Sequence, residues 1–359
     1  MKTQFSNESG GVDIVAVAKK LFEDQKRMKD VIVDTKNIQA IANGSVNLHL
    51  TELNETFAMN DTCLNQMATK VGISKKYLDK MRDGHNYLLQ DNFNYWMQNT
   101  PKQQMIRTYV NEDGSNGIAR AFLSSKFKRF DNYELMSVVL PILKSKGYVV
   151  VSCAITETKF YVKAVLPSLQ REVTKGDIVQ SGVIISNSEV GQGSVLVSPF
   201  IYRLVCLNGM TINDARLNSR HLTSSQATLD GVYEILSDES KELDNKALLS
   251  KVHDVVLSTS DEVRFNQNVA KMTDATEIKI KSPKKVIEVL ENRFDLSKVE
   301  GENILENLVN RNDTQKFANL WSVVNSITAL GNTLEDYDRG TKMQEIGGKL
   351  LNEPQLISA

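Results

Sequence analysis

Residues 105–123 read MIRTYVNEDGSNGIARAFL, and the fold class turns on this stretch. Met105 to Val110 and Ile118 to Leu123 have strand composition, whereas Asn111-Glu112-Asp113-Gly114-Ser115-Asn116-Gly117 between them has turn composition. Two such runs around a Gly- and Asn-rich connection predict an antiparallel hairpin. Moving towards the C-terminus, Asp131 is placed to cap a helix over Tyr133 to Lys144. Tyr148 to Ile155 and Lys159 to Leu166 then predict a second hairpin around Thr156-Glu157-Thr158. Hairpin, helix and hairpin favour an α+β fold over a repeated βαβ layout.

Further along, Asp177 to Ser186 and Ser194 to Val197 predict more strands. Pro199 tells against a regular central strand through that point, because proline has no N–H for a ladder bond. Phe200 to Leu207 is therefore either a bulged strand or the start of a helix. From about Ala215 the pattern is mainly helical, with segments at Leu217 to Ser240, Leu243 to Leu257, Asp261 to Met272, Pro283 to Arg293, Ile304 to Leu308 and Phe317 to Leu330. On the N-terminal side, Val12, Val15, Ala16 and Phe22 fall near helical spacing in a segment running to about Asp30. Asn43 to Phe57 suggests a short strand or loop. Asp61 to Asp83 reads as two short helices joined by Val71-Gly72-Ile73-Ser74, and Asn92 to Gln98 as another helix before Pro101. The expected architecture is α+β, a mixed or antiparallel sheet core with helical N-terminal and C-terminal regions. Its expected divisions are residues 1–100, 101–215 and 216–359.

The chain has 359 residues, 41% of them hydrophobic and 24% charged, which is enough to fold a substantial core. The formal charge of −1 conceals an asymmetry, net +6 over residues 101–175 and −7 from residue 221 onward. Such a distribution fits a polyanion-binding surface joined to an acidic protein-docking region, and it also fits ordinary variation in surface charge. Cys63, Cys153 and Cys206 are too few for a disulfide scaffold and too scattered for a metal knuckle. Cys153 and Cys206 sit among Val, Ile and Leu, where a thiol serves as a small buried hydrophobe. No signal-peptide pattern opens the sequence and no run approaches 18 apolar residues, so neither secretion nor a membrane span is expected.

Four groups of residues are site candidates. Leu64, Met67, Ala68, Val71, Gly72, Leu78 and Met81 have the spacing of a helix-turn-helix, with Lys75, Lys76 and Lys80 available to phosphates; the same spacing packs any two crossed helices. Arg107, Tyr109, Arg120, Lys126, Phe127, Lys128 and Arg129 supply the cations and rings that a single-stranded nucleic acid needs, if they are exposed. Burial of the aromatics with solvated lysines is the competing reading.

Ser186 to Gly193 is a polar, glycine-flexible loop whose amides can form an anion nest, although it lacks the Gly-Lys-Ser/Thr ending of a phosphate loop. Within this group Asn187, Glu189 and Arg203 form a possible polar site. Lastly, Cys206-Leu207-Asn208-Gly209-Met210 reads as a turn with positive-φ positions at Asn208 and Gly209. Cysteine catalysis there needs a base such as His221. The histidines His49, His85, His221 and His253 have no metal-ligand spacing. No cofactor, metal ligand or catalytic residue is therefore assigned.

Several strings taken in order carry a family resemblance. They are Val71-Gly72-Ile73 with Tyr77, Asn92-Phe93-Asn94-Tyr95-Trp96, Arg107, Arg120-Ala121-Phe122-Leu123-Ser124, Asp131-Asn132, Gly182, Asn187-Ser188-Glu189-Val190-Gly191 and Arg203-Leu204-Val205-Cys206-Leu207-Asn208-Gly209-Met210. Together they resemble the phage and plasmid family called domain of unknown function 932, over roughly residues 45–335, and His221 is similar to a histidine of that family. The resemblance implies a bacteriophage, prophage or plasmid protein acting in the bacterial host cytoplasm, and it implies no catalytic residue. The expected function is binding of single-stranded DNA in recombination or annealing, extended by a homo-oligomer. The alternatives are a non-enzymatic phage structural or host-interaction protein docking through its acidic C-terminal region, and an enzyme whose 186–193 and 206–221 segments converge in a cleft.

Overall fold

Apolar alternation begins earlier in the chain than the composition suggested. A computed structural model describes residues 3–4, 12–113, 117–212, 216–219, 238–311 and 318–357. After β1 (Thr3–Gln4), Asp13 caps α1 (Ile14–Arg27) through its side chain. The chain then runs straight into β2 (Met28–Asp34), β3 (Ile38–Asn43), β4 (Ser45–Leu50) and β5 (Glu55–Met59). Three helices follow: α2 (Asp61–Lys70), α3 (Lys75–Arg82) and α4 (Asn86–Asn99). The expected hairpin comes next, as β6 (Gln103–Tyr109) and β7 (Ile118–Ser124).

These strands make a six-stranded mixed sheet in the order β2-β6-β7-β5-β4-β3, with β5 and β7 parallel. Residues 1–100 are thus not a purely helical region, and residue 100 does not separate two sheets, because the hairpin completes a sheet begun at Met28. One face of this sheet packs Ile38, Leu48, Leu50, Phe57, Ile106 and Phe122 against Leu64, Met67, Leu78, Leu89 and Phe93 of the helices. Gly72, at φ +78°, makes the turn between α2 and α3, and Ser74 caps α3 as its sequence predicts.

The edge strand β3 is closed by side chains rather than by another strand. Asn94 accepts from Ala40 N at 2.7 Å and donates to Ala40 O at 3.0 Å. Gln90 accepts from Ala42 N at 2.8 Å, and Asn86 donates to Gly44 O at 2.7 Å. Four helical residues rise about 6 Å and two strand residues about 6.7 Å, so an i, i+4, i+8 stripe of amides matches alternate strand positions. Backbone groups that would otherwise recruit a foreign strand are satisfied this way.

A second sheet follows α5 (Asn132–Lys146), which Asp131 and Glu134 open with a capping box. Its strands are β8 (Val149–Ile155), β9 (Phe160–Thr174), β10 (Asp177–Asn187), β11 (Val195–Arg203), β12 (Asn208–Thr211) and β13 (Leu217–Ser219). The order is β1-β8-β9-β10-β11-β12, antiparallel throughout, with β13 also on β11. β11 runs through Pro199 after all. Pro199 O accepts from Ile212 N, so its imide nitrogen faces the same side, in the gap where β12 has ended and β13 pairs further back. Missing one N–H at that gap breaks no ladder bond. Asn208 and Gly209 open β12, and the positive φ falls instead on Leu207, at 51°.

The C-terminal part is α6 (Asp238–Ser258), α7 (Glu262–Glu277), α8 (Pro283–Phe294), α9 (Lys298–Arg311), α10 (Leu320–Thr333) and α11 (Tyr337–Asn352). The helix expected over Leu217 to Ser240 starts as β13, and residues 220–237 lie outside the described residues. One face of the second sheet, including Val162, Val183, Ile185, Val197 and Ile201, joins α5 and these helices in the larger core. The molecule is an α+β fold of two sheets with helical N-terminal and C-terminal segments. Among the described residues no helix is long and apolar enough to cross a membrane.

Candidate functional site

The alternation visible at 105–109 puts Arg107 and Tyr109 on the face of the first sheet opposite its helices, and a bulge beside Arg107 turns Arg120 to meet them. That face is covered. Arg107 is fully buried, with Nε donating to Asp30 Oδ1 at 2.8 Å, Nη2 to Asp131 Oδ1 at 2.7 Å and Nη1 to Glu189 O at 2.9 Å. Desolvation works against its charge, but Asp131 and Asp30 outweigh it and raise the guanidinium pKa above its ordinary value. Arg120 donates to Glu189 Oε2 at 2.8 Å and lies 4.2 Å from the Tyr109 ring centre. Burial pushes the Tyr109 hydroxyl pKa up. The second oxygen of Glu189 accepts from Asn132 N at 2.8 Å, at the start of α5, where a carboxylate is favoured. Asn187 donates to Phe130 O and Asn132 Oδ1, both at 2.9 Å.

Two stretches that the sequence treats separately, the basic strands and the 186–193 loop, therefore meet. What they form is a buried ionic joint between the first sheet, the second sheet and α5. An exposed cationic track would need Arg107 and Arg120 in water, and both are enclosed by carboxylates. Phe127 is core, packed with Met105, Leu123 and Val190, so its ring is not free to stack on a base. Lys128 pairs with Asp244, and Arg129, though 60% exposed, reaches Asp30 at 3.5 Å. Lys126 is partly buried. Arg203 does not meet Glu189: its Nε donates to Asp177 Oδ1 at 2.5 Å, and Asp177 also accepts from Trp321 Nε1 at 2.9 Å.

The stretch does form two short helices around the Gly72 turn, with Lys75, Lys76 and Lys80 exposed on α3. Lys75 is held by Asp79 at 2.7 Å, whereas Lys76 and Lys80 make no ion pair among the described residues. What sequence reasoning missed lies next door. Tyr77, Tyr87, Tyr95 and Trp96 are 42–59% exposed, and they are the exposed tyrosines and tryptophan among the described large side chains. The Tyr95 and Trp96 rings meet edge-on at 5.1 Å. The signal was available in part: once Leu89, Phe93 and Met97 define the buried stripe of α4, Tyr87 and Tyr95 fall away from it, whereas Trp96, seven residues after Leu89, sits at its edge and its exposure is not set by spacing alone.

Burial raises the thiol pKa of Cys63, and raises that of Cys153 to about 12, so both stay protonated at neutral pH. Cys206 is only partly buried, and it accepts from Arg203 Nη1 at 3.0 Å. His221, its proposed base, lies outside the described residues. No three His, Cys, Asp or Glu side chains among the described residues are grouped to hold a metal ion.

The model of the family described as Domain of unknown function (DUF932) matches residues 121–341, more than half of the chain. The chain belongs to that family. No curated protein and no solved structure matches it. The matched span includes Asp131, Asn187, Glu189 and the whole second sheet from β8 to β13, while α3 and α4 precede it.

Proposed function

We propose that the chain binds single-stranded nucleic acid without catalysis, through the exposed face of α3 and α4. In a bacteriophage, prophage or plasmid setting this activity serves DNA recombination or annealing. One observation carries the reading: the exposed tyrosines and tryptophan among the described residues, Tyr77, Tyr87, Tyr95 and Trp96, fall within twenty residues, and Lys76 and Lys80 flank the first of them. Over residues 70–102 the sequence has Lys70, Lys75, Lys76, Lys80, Arg82 and Lys102 against Asp79, Asp83 and Asp91, a net of +3. Flat rings take bases of any sequence, and neighbouring cations release the counterions of the backbone. Charge is moderate, so stacking carries much of the affinity.

Fluorescence anisotropy with labelled single-stranded DNA, double-stranded DNA and RNA at several salt concentrations tests this. Binding should favour single strands, weaken as salt rises, and fall with Trp96→Ala by about 1–3 kcal/mol, the usual worth of a stacked base. Lys80→Ala should reduce the slope of affinity against salt by about 0.7, one phosphate contact on a single strand. No binding at low salt by the folded protein, or binding indifferent to both substitutions, refutes the reading. A protein partner on the same aromatic face would respond to Trp96→Ala but show no competition by oligonucleotide.

A further inference from the structure

The second face of the second sheet, turned away from the large core, holds a cleft that the proposed nucleic-acid surface does not use. Along β9, Phe160, Val162 and Ala164 enter the large core, while Lys163 and Val165 point the other way. Helices α10 and α11 meet beside that face at Gly331 and Gly340. A Cβ on either glycine would stand 2.6 or 2.3 Å from the other's carbonyl oxygen, so nothing larger permits the approach. The result is a cleft of about 440 Å³ whose lining includes Ser152, Lys163, Phe200, Tyr202, Tyr337 and Gln344.

Lys163 is 5% exposed, yet no carboxylate oxygen among the described residues lies within 4 Å of it. Its Nζ donates to Thr341 Oγ1 at 3.2 Å and sits 4.5 Å from the centre of the Tyr337 ring. Glu345, which attracts it electrostatically, is committed to Arg216 at 3.7 Å and Lys342 at 3.6 Å. The other titratable groups around the cleft are Tyr202, Cys206 and Tyr337. Gln344, also lining the cleft and buried, donates to Asn332 Oδ1 at 3.2 Å, and its Oε1 has no partner among the described residues. An unpaired buried cation and an unused buried acceptor are both costly, and both costs fall when a ligand supplies what is missing.

We propose that this cleft binds a small organic oxyanion, a carboxylate or phosphate monoester carried on a flat apolar body with a hydroxyl or amino group. The oxyanion pairs with Lys163 Nζ, the body lies against Phe200 and Tyr202, and the hydroxyl or amino group donates to Gln344 Oε1. Burial lowers the free Lys163 pKa to about 7, so the site is poised between its neutral and anion-binding forms near neutral pH.

The test follows the ¹³Cε signals of lysine-labelled full-length protein against pH, with Lys163→Met used for assignment. The probes are phenyl phosphate, benzoate and 4-hydroxybenzoate. Each probe at millimolar concentration should move the Lys163 midpoint upward, and affinity should weaken about tenfold per pH unit above it. Gln344→Leu should weaken 4-hydroxybenzoate but leave benzoate unchanged, which a merely structural glutamine would not do. A Lys163 midpoint unmoved by all three probes overturns the proposal, as does equal binding to folded Lys163→Met. The wild-type titration carries this readout whether or not the variant folds.

Discussion

Removing the carboxylate of Glu189 should cost more than any surface change and should be largely recovered by also removing its partner. At 2.8 Å and the effective dielectric of about 20 that suits protein sites, the attraction between Glu189 and Arg120 is roughly 6 kcal/mol before desolvation is subtracted. Side-chain exposures of 4% and 8% mean that most of the hydration of both ions is lost, so the intact pair is worth far less than that. Glu189→Ala leaves Arg120 buried without its anion and Asn132 N without its acceptor. The expected loss is about 3–5 kcal/mol. Arg120 Nε already lacks a partner among the described residues, which leaves little to compensate. With an unfolding entropy of about 2.1 cal/mol/K per residue, a chain of 359 residues shifts by about 1.3 °C per kcal/mol, so the melting temperature should fall by roughly 4–7 °C. Urea unfolding followed by tryptophan fluorescence and calorimetry measures both. The double variant Glu189→Leu with Arg120→Met should recover most of the loss, because a buried pair can be replaced by apolar side chains at little cost. A loss below about 1 kcal/mol for Glu189→Ala, or a double variant as unstable as the single, would refute the view of a buried ionic joint.

Other consequences follow from single contacts. Asn94→Ala frees both backbone groups of Ala40 at the edge of the first sheet, so stability should drop by about 1–3 kcal/mol, and light scattering should show concentration-dependent association that wild type lacks. The paired bonds from Arg339 hold the Glu300 carboxyl down at about 2, so stability from this pair is present above the unfolded carboxyl pKa and is lost as pH falls through about 2; Glu300→Gln should flatten the stability profile over that window. The Lys163 amine lies at about 7 in the fold and near its ordinary 10.5 when unfolded, so the unfolded chain binds the extra proton between those values and stability should rise with pH there; Lys163→Met should remove that slope in urea titrations at pH 7 to 10.

The legible parts of the fold are those whose signals are local. Turn composition at 111–117, the Asp131 cap and the Gly72 break each act within a few residues, and the hairpin, α5 and the α2–α3 turn all form. β2 is hidden because α1 ends in Arg27 and the strand starts at the next residue, with Lys29 breaking the apolar face of Val31 and Val33 and Asp30 placed on the opposite face. Those polar positions are filled for a long-range reason: Asp30 answers Arg107, 77 residues away. Pro199 misleads because the loss of its N–H depends on which neighbour faces that side, and the gap between β12 and β13 is a property of pairing rather than of β11 itself.

Long-range partners also decide which cations are exposed. Composition establishes that residues 107–129 contain cations and rings, and the alternation even assigns Arg107 and Tyr109 to one face. Whether that face is wet depends on Asp131 and Glu189, which arrive 24 and 82 residues later. Three acids brought from three elements convert a polyanion surface into an internal joint, since a guanidinium already bonded to protein carboxylates gains little from phosphate. The unanswered groups are elsewhere. Among the described residues Lys76 and Lys80 make no ion pair, Tyr87, Tyr95 and Trp96 of α4 face solvent, and Lys163 has no carboxylate within 4 Å although it is buried. Unsatisfied chemistry at a defined place, rather than abundance of a residue type, is what separates a binding surface from a scaffold in this fold.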